Sequence, residues 1–416
     1  MKYFELTAIG QRAKKVSGTL AICGTDTKNA ALHCIADSLI TNAQKIIAAN
    51  AVDVDNGRTR NFSKALLDRL CIDEQRIRAI ADGIRKVSEL PDPIGDIVEG
   101  WTLPNNLEIR KVRVPLGVIC IIFESRPNVT ADAAALCLKS GNVAILRGGK
   151  EAINTNVEIV NAMRAALASC DLPEDYIQLV TTTDRAAVHE LLRLNQFIDV
   201  VIPRGGAGLI KMVLENSSIP VIETGTGVCH TFVDSSADLT MALAIAINAK
   251  VSRPAVCNAM ETLLIHCDIA DKFMPQLIDA MLENAVELRG CARSKQYNDR
   301  IKLATSDDWA AEFLDLILAV KIVDNVDEAI AHIDKYSTGH SEAIITNDYF
   351  NAQRFQREID AAAVYVNAST RFTDGCEFGF GAEIGISTQK LHARGPMGLK
   401  ELTSIKYLIN GSGQIR

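Results

Sequence analysis

The sequence predicts an α/β protein with two domains, each built on a parallel β-sheet. A chain of 416 residues is too long for one small core, and its 48% apolar residues are sufficient for two larger ones. Short apolar runs alternate with helical patterns, first from Val118 to Ile222 and again after Cys229. Strands that alternate with helices are typical of parallel sheets covered on both faces.

The first hundred residues are predicted to be helical. One helix is expected over residues 28–49, with Thr27 as its N-cap, because apolar residues recur there on one face. Two more helices are expected over residues 63–70 and 73–90, and Pro91 ends the region.

A first series of strands and helices follows. Residues 107–114 alternate apolar and charged side chains, as a half-exposed strand does, and residues 118–123 form a continuous apolar run that predicts a buried strand. Further strands are predicted over residues 142–146, 177–180, 200–202 and 220–222, with helices over residues 131–139, 154–169, 185–194 and 207–214.

The second series predicts strands over residues 262–265, 320–323, 342–346 and 364–366, with helices over residues 237–249, 270–284, 326–335 and 349–359. The chain ends with a possible exposed strand over residues 402–409. Because an exposed terminal strand favours pairing with another chain, we expect a homo-oligomer, a dimer or a tetramer.

Composition excludes several classes of protein. The net charge of −7 argues against a general nucleic-acid binder, and no apolar stretch is long enough to span a bilayer. The eleven cysteines lack the spacing of a disulfide framework or a zinc site, so we expect reduced thiols and no metal. The N-terminus lacks a signal-peptide core. These observations predict a soluble cytoplasmic protein.

Cys257 is the strongest candidate for a catalytic residue. It lies in Ser252-Arg253-Pro254-Ala255-Val256-Cys257-Asn258, where a turn restricted by proline leads into an apolar strand. Such a layout can expose a thiol at a fixed point, and a thiolate can carry an acyl group as a thioester. The alternative is a small buried hydrophobe, which is expected for most of the other cysteines.

Two glycine-rich loops follow predicted buried strands. They are Arg147-Gly148-Gly149-Lys150 and Arg204-Gly205-Gly206-Ala207-Gly208. Glycine lets backbone approach a phosphate, and the following helix N-terminus favours an anion. Each loop alone is equally consistent with a plain turn. Two of them at the carboxyl ends of parallel strands favour a nucleotide site.

Four basic residues, Arg126, Arg371, Lys390 and Arg394, occur in turn-rich segments. A cluster of them would suit an anionic substrate, although single surface charges are the commoner case. Glu223 follows a predicted strand and could act as a general base or bind a backbone amide.

Three features together resemble the aldehyde dehydrogenase superfamily: a nucleophilic cysteine after two α/β halves, a Gly-Asn plus basic strand-loop, and a late Glu-Phe segment. Longer strings are similar to one branch of that superfamily. They are Phe123-Glu-Ser-Arg-Pro-Asn-Val-Thr130, Leu146-Arg-Gly-Gly-Lys-Glu151, Ile202-Pro-Arg-Gly-Gly-Ala-Gly208, Val366-Asn-Ala-Ser-Thr-Arg-Phe-Thr-Asp-Gly375 and Ser387-Thr-Gln-Lys-Leu-His-Ala-Arg-Gly-Pro-Met-Gly398. The resemblance covers essentially the whole chain. It implies two Rossmann-like α/β domains and a small β-flap for oligomerisation.

The domain boundaries that the resemblance implies are as follows. The cofactor-binding domain comprises residues 1–104 and 117–228 with part of 370–390, the catalytic cysteine domain comprises residues 229–369, and the flap comprises residues 105–116 and 398–416.

Within the superfamily, the strings are similar to the branch that reduces L-glutamyl 5-phosphate with NADPH to L-glutamate 5-semialdehyde and phosphate, the second step of proline biosynthesis. This resemblance implies that Cys257 forms a glutamyl thioester, with its own N–H and the Asn128 side chain stabilising the oxyanion. Because no kinase region precedes these strings, we expect a separate glutamate 5-kinase to supply the substrate.

The resemblance also implies a cofactor site. Arg147 stands at a position that is basic in the superfamily. Lys150 stands three positions later, where NAD-preferring members often carry a glutamate, so we predict NADP(H), whose 2′-phosphate suits a cation. Glu312 resembles the carboxylate that contacts the nicotinamide-side ribose. Glu223 aligns with the glutamate that activates water in hydrolysing members, and we hypothesise that here it is turned away or positions cofactor or thiol.

Two other functions stay open on the sequence alone. One is a hydrolysing aldehyde dehydrogenase that uses Cys257 and Glu223. The other is a catalytically silent scaffold, against which the intact cysteine and both glycine loops argue.

Overall fold

The computed structural model describes residues 4–416, apart from the side chains of residues 4, 65 and 185. The helices are α1 Phe4–Ala21, α2 Thr25–Thr41, α3 Ala43–Thr59, α4 Lys64–Leu70, α5 Glu74–Glu89, α6 Pro127–Lys139, α7 Ile153–Ser169, α8 Arg185–Leu191, α9 Ala207–Asn216, α10 Leu239–Val251, α11 Cys267–Glu283, α12 Ala292–Lys295, α13 Val326–Tyr336 and α14 Tyr349–Glu358.

The strands are β1 Ile97–Thr102, β2 Glu108–Pro115, β3 Val118–Phe123, β4 Val143–Arg147, β5 Ile177–Leu179, β6 Val200–Arg204, β7 Cys229–Val233, β8 Met260–His266, β9 Glu287–Gly290, β10 Lys302–Leu303, β11 Ile317–Val323, β12 Ser341–Ile345, β13 Ala363–Val366, β14 Ile386–Ser387, β15 Gly395–Pro396 and β16 Thr403–Asn410. Short 3-10 turns lie at Lys150–Ala152, Glu174–Tyr176, Asp307–Ala310, Thr370–Phe372 and Lys400–Leu402.

The chain divides into two compact units. The first unit contains residues 4–224, 379–385 and 397–416, and the second contains Gly225–Phe378 and Ile386–Pro396. The division between them falls at Thr224, close to the predicted boundary at residue 228. Residues 1–3 of the first predicted range lie outside the described residues. The assignment of cofactor binding to one range and catalysis to another stays a prediction.

The first unit is organised around a four-stranded parallel sheet in the order β5-β4-β3-β6. Strand β3 lies in the middle, and all six of its residues are buried. Helices α2, α5 and α7 pack together beside this sheet, since their apolar faces carry residues such as Leu32, Ile80 and Ile159. The sheet places the ends of β4 and β6, with their glycine-rich loops, at one edge.

The second unit contains a seven-stranded parallel sheet in the order β10-β9-β11-β8-β7-β12-β13. Phe273 and Leu277 of α11 fill the core on one side, while Phe232 and Phe355 belong to a second apolar cluster. Two parallel sheets covered by helices confirm the predicted α/β class.

An antiparallel sheet in the order β1-β2-β16 belongs to the first unit. Strand β16 confirms the strand predicted over residues 402–409, and it pairs with β2 from Thr403↔Pro115 to Asn410↔Glu108. Trp101 and Tyr407 pack edge to face on its exposed surface, with ring centroids 6.3 Å apart. The role of this sheet in oligomerisation stays a prediction.

The structure corrects the first predicted helix. The expected helix over residues 28–49 is two helices, because the Asn42 side chain donates to the Ser38 carbonyl at 2.9 Å and ends α2 there. Helix α2 also begins at Thr25, with Gly24 as its N-cap, so Thr27 lies inside it. A side chain that bonds to nearby backbone competes with helical hydrogen bonding.

Several other elements differ from the prediction. The strand expected over residues 220–222 is a single bridge between Val201 and Val221, since Pro220 has no N–H to donate. Helix α1 and strands β1 and β7 were not predicted; all six residues of β1 are exposed, so it has no alternation to detect.

None of the helices in residues 4–416 combines the length and the apolar content needed to cross a membrane.

Candidate active site

Cys257 lies in the loop between α10 and β8, in the second unit. The Ala259 N–H donates to the Val256 carbonyl at 3.0 Å and closes a tight turn around the cysteine. The cysteine is half-buried, whereas Ser252 and Arg253, at the start of the loop, are exposed. The loop therefore presents a thiol at a fixed, accessible point, as catalysis by a thiolate requires.

The carbonyl group of Cys257 is held from two sides. Gly227 packs directly against it, so closely that a Cβ atom at Gly227 would lie 1.6 Å from the Cys257 oxygen. The Cys229 Sγ donates to the same oxygen at 3.1 Å. Burial raises the pKa of Cys229 well above its ordinary value, so this thiol keeps its proton and remains a donor.

Glu312 anchors the Gly227 segment. Its Oε1 accepts the Gly227 N–H at 2.8 Å, and burial raises its pKa despite that hydrogen bond. Glu312 is therefore linked to Cys257 through one glycine, which the sequence did not indicate. Its predicted contact with the cofactor ribose stays a prediction.

Asn258 fixes the other side of Cys257. Its Nδ2 donates to the carbonyls of Arg371 at 3.2 Å and Thr373 at 2.9 Å, and its own carbonyl accepts from Thr370 Oγ1 at 2.7 Å. These bonds join the cysteine loop to the segment that follows β13. Asn258 has no distinguishing pattern in the sequence, and its burial beside an accessible cysteine is evident only in the structure.

Arg371 is the one predicted substrate-binding residue that the described contacts connect to this loop. Its Nε donates to Ser252 Oγ at 3.1 Å, and its guanidinium donates to Asn258 Oδ1. Burial and the nearby Arg253 lower the pKa of Arg371, while Asp374 opposes that shift. The guanidinium is thus held rigidly near Cys257.

Lys390 and Arg394 both bind Asp360. Arg394 Nη1 lies 2.7 Å from one carboxylate oxygen, and Lys390 contacts the other. These two ion pairs lower the pKa of Asp360. In the structure both cations therefore already have a carboxylate partner within the second unit, and their role in substrate binding stays a prediction.

The predicted cofactor residues of the first unit lie at the ends of β4 and β6. Arg147 ends β4, Lys150 is exposed just beyond it, and Glu151 accepts the Ser125 N–H and Ser125 Oγ, both at 2.7 Å. The half-buried Glu151 carboxylate therefore has two donors from Ser125 and lies against Gly149, so the loop carries one negative charge beside the cations Arg147 and Lys150.

The second glycine loop connects β6 to α9. Gly206 is the N-cap of α9 without a side-chain hydrogen bond, and nothing lies within 4 Å of a Cβ atom added there or at Gly208. The Gly206 N–H donates to Glu124 Oε2 at 3.1 Å. The glycine surface next to Arg204 can accommodate a phosphate at Gly206 and Gly208 if the Glu124 carboxylate, which lies against Gly205, moves away from the Gly206 N–H.

Asn128 lies in the first turn of α6, and its Nδ2 donates to Asp132 Oδ2 at 2.9 Å. Burial raises the pKa of Asp132 to about 6, although the Asn128 hydrogen bond and the charge of Arg204 oppose that shift. The structure thus joins Asn128 to the half-buried carboxyl group of Asp132, which the sequence did not indicate. The predicted roles of Asn128, Arg126 and half-buried Glu223 stay predictions.

A buried ion pair connects the two elements that flank the cysteine loop, α10 and β8. Lys250, near the end of α10, lies 2.5 Å from Glu261 in β8, and both side chains are fully inaccessible. Glu261 Oε1 also accepts the Leu314 N–H at 3.3 Å, so the pair holds the segment that carries Glu312. Burial raises the pKa of Glu261 to about 7 and lowers the pKa of Lys250, against the attraction between the two charges.

We expect Lys250→Met to lower the free energy of unfolding by about 3–5 kcal/mol, because it leaves a buried carboxylate without its cation. The loss should be larger at pH 8 than at pH 5. The pKa of Glu261 is 4.5 in the unfolded chain and about 7 in the folded chain, so folding becomes less favourable as pH rises from 4.5 to 7 and Glu261 must ionise. Without Lys250 the folded pKa rises above 7, so the loss of stability continues to grow above that pH. Urea titration followed by circular dichroism at both pH values measures the effect.

Two further variants make this measurement specific. Lys250→Met with Glu261→Leu should recover most of the loss, because no buried charge remains. Lys302→Met is the matched control, since Lys302 pairs with Glu287 at 2.6 Å at the surface and should cost less than about 1 kcal/mol. A pH-independent loss in the single variant would contradict the charge explanation.

Among the described residues, one group of side chains is close enough together to hold a metal ion: His266, Cys267 and Asp268. His266 Nδ1 accepts the Asp268 N–H at 3.2 Å and caps α11. This cap explains the arrangement without a metal.

The fold and the thiol loop define a class of protein. The family model described as "Aldehyde dehydrogenase family" matches residues 5–289 and 309–408, and the chain belongs to that family. The resemblance noted from the sequence strings is thereby confirmed.

Particular relatives share one name. A gamma-glutamyl phosphate reductase of Caldanaerobacter subterraneus subsp. tengcongensis is 57% identical over 99% of this chain and 100% of its own length. A gamma-glutamyl phosphate reductase of Clostridium novyi is 59% identical, with 97% of each chain covered. The crystal structure of gamma-glutamyl phosphate reductase from Thermotoga maritima is similar to this one with a TM-score of 0.97, at 49% identity over 99% of this chain and 100% of that one.

Proposed function

We propose that this chain reduces L-glutamyl 5-phosphate to L-glutamate 5-semialdehyde and phosphate with NADPH, in the second step of proline biosynthesis. The observation that carries the proposal is the fixing of Cys257 between Gly227 and Asn258, in a chain 57–59% identical to gamma-glutamyl phosphate reductases over nearly its whole length. An accessible thiol on a rigid loop suits acyl transfer from a phosphate.

In the proposed first step the Cys257 thiolate attacks the acyl carbon. A sulfur–carbon bond forms, the carbon–oxygen bond to phosphate breaks, and phosphate leaves with that electron pair. Phosphate is a good leaving group, so no strong acid is needed. The Cys257 N–H and the Asn128 side chain are proposed to stabilise the oxyanion, for which preorganised donors are required.

The second step regenerates the thiol. NADPH, when bound, supplies the hydride that reduces the glutamyl thioester. Cys257 then departs as a thiolate when the aldehyde forms, and the next acyl group can be accepted. Glu223 is not required as a base for water here, because hydrolysis would waste the thioester.

The first unit offers residues that fit NADP(H). Arg147 and Lys150 would hold the 2′-phosphate, and the Arg204-Gly205-Gly206 loop, with Gly148 and Gly149, would accept the other phosphates. The open surface at Gly206 and the exposed position of Lys150 support this fit.

We expect Lys150→Glu to lower kcat/KM for NADPH by about 10- to 100-fold, because a charge-assisted contact to the 2′-phosphate is replaced by repulsion. The value for NADH should change little or rise. Steady-state assays with both cofactors measure the change. Lys211→Glu, at an exposed position of helix α9, is the control: it makes the same change of charge and should leave both kcat/KM values unchanged. An equal fall with both cofactors would contradict the assignment.

The experiment that tests the proposed function is the reverse reaction. The enzyme should reduce NADP⁺ with L-glutamate 5-semialdehyde only when phosphate is present, because phosphate must discharge the thioester. Turnover without phosphate would instead favour the hydrolysing aldehyde dehydrogenase, with Glu223 as its base.

We further propose that a separate glutamate 5-kinase supplies the substrate, and that the enzyme works in the cytoplasm as a homo-oligomer. The eleven cysteines, all without disulfide bonds, support a reducing compartment. The exposed apolar residues on the β1-β2-β16 sheet, including Trp101, Tyr407 and Ile409, support its use as the oligomer contact.

A further inference from the structure

We propose that a pocket in the second unit binds the α-amino-acid end of the substrate, with Arg371 taking the α-carboxylate and Asp374 and Glu377 taking the α-ammonium. This assignment rests on the proposed function, because it concerns the same substrate. It also identifies Asn258 as the residue that positions Arg371.

The pocket has a volume of about 300 Å³ and lies beside the carboxyl-terminal part of α10 and the segment after β13. Its lining combines one guanidinium, two carboxylates, an amide, a hydroxyl and an aromatic ring, contributed by Asn248, Ser252, Arg371, Phe372, Asp374 and Glu377. A pocket that contains both cationic and anionic side chains suits a zwitterion, because the carboxylate and the ammonium group of the ligand each find a partner of opposite charge.

Arg371 is prepared to receive a carboxylate. Hydrogen bonds to Ser252 Oγ and Asn258 Oδ1 fix the plane of the guanidinium, and the Asn258 amide also fixes the Arg371 carbonyl. A planar guanidinium held in this way loses little conformational freedom on binding and can engage both oxygens of a carboxylate.

The position of the pocket agrees with the length of the substrate. Three carbon–carbon bonds separate the reacting carbonyl carbon of a glutamyl group from its α-carbon, so a receptor for the α-substituents must lie close to the nucleophile. The two residues that bind the Arg371 side chain, Ser252 and Asn258, both belong to the loop that carries Cys257. A thiolate at Cys257 would also raise the pKa of Arg371, as expected of two neighbouring groups of opposite charge.

The same lining disfavours the other end of the substrate. A phosphate dianion at Arg371 would lie beside the carboxylates of Asp374 and Glu377, which both act electrostatically on this guanidinium. The pocket therefore favours the end that carries one positive and one negative charge, and the phosphate is bound elsewhere.

Substrate truncation combined with mutation tests the assignment. Phosphate-dependent NADP⁺ reduction is measured with L-glutamate 5-semialdehyde, with 5-oxopentanoate, which lacks the amino group, and with 4-aminobutanal, which lacks the carboxylate. Arg371→Met should lower kcat/KM for the first two aldehydes by about 100-fold and for 4-aminobutanal by less than about 3-fold. Asp374→Asn with Glu377→Gln should lower kcat/KM for the two amines and spare 5-oxopentanoate.

Two variants refine the test. Asn258→Ala should reproduce part of the Arg371→Met pattern, because the guanidinium loses its anchor, and Arg371→Lys should restore part of the lost activity toward carboxylate substrates. Circular dichroism of each variant establishes that it folds, and Lys302→Met, whose lysine is paired with Glu287 at the surface, provides a matched loss of charge in the same unit.

The outcomes separate the two proposals. Equal losses with all three aldehydes, or a selective rise in KM for phosphate in Arg371→Met, would overturn the pocket assignment while leaving the reaction intact. Absence of phosphate-dependent turnover by the unaltered enzyme would overturn the proposed function and the assignment with it.

Discussion

Replacing Cys257 by alanine should lower kcat by about 10⁴-fold or more, because no other group can carry the acyl intermediate. The loss should appear with NADPH and NADH alike, since the thiol is required after either cofactor binds. Cys257→Ser should be nearly as inactive, because an alkoxide is far harder to generate near neutral pH than a thiolate. Initial rates of NADPH oxidation with L-glutamyl 5-phosphate measure both variants.

Two measurements connect that loss to the thioester. Mass spectrometry of the enzyme quenched during turnover should find a glutamyl adduct on Cys257 and on no other cysteine. Cys267→Ser is the matched control, because Cys267 is also partly exposed and belongs to the same unit. Full activity without Cys257, or an adduct at another thiol, would contradict the proposed mechanism.

The regular elements were predictable where the sequence pattern is strong. Strand β3 was predicted at its observed bounds, because a short run of six apolar residues between turn-rich segments is typical of a strand that is buried on both faces. Helix α14 was also predicted within one residue at its end. Strand β1 could not be predicted, because an exposed strand owes its existence to pairing with β2 and has no apolar pattern of its own.

The residues of the candidate site were only partly predictable. Cys257 has a local signal, but its supports lie far away in sequence: Gly227 is 30 residues earlier, and Asn258 bonds to a carbonyl 115 residues later. Local sequence patterns do not show which distant backbone group meets which side chain. The same holds for Lys250 and Glu261, whose charges would be expected at the surface if the structure did not bury them together.

The contact of Gly227 with Cys257 also explains why glycine is required at a position with no unusual backbone conformation. A Cβ atom there would lie 1.6 Å from the Cys257 oxygen and 2.4 Å from the carbonyl carbon, so the two segments cannot keep their places. Because the Gly227 N–H is bound to Glu312, the glycine segment is not free to yield, and the cysteine loop must move instead. The added methyl group would therefore displace the Cys257 thiol.

We accordingly expect Gly227→Ala to lower kcat by about 100-fold or more, since a displacement near 1 Å at a reacting group has an effect of that size. The alkylation of Cys257 should become slower, or substrate should no longer block it. The binding of NADPH to the first unit should be unchanged. Steady-state kinetics, thiol labelling and cofactor fluorescence measure these three properties.

Gly83→Ala is the matched control, because it is the same substitution in helix α5, where an added Cβ atom meets nothing within 4 Å. It should leave kcat unchanged and stabilise the helix by about 0.5–1 kcal/mol. If Gly227→Ala retained full kcat, the packing of Gly227 against Cys257 would not be what holds the thiol. If Gly227→Ala combined with Glu312→Ala, which removes the acceptor of the Gly227 N–H, recovered activity, the rigidity of the glycine segment, and not the added methyl group alone, would be the cause of the loss.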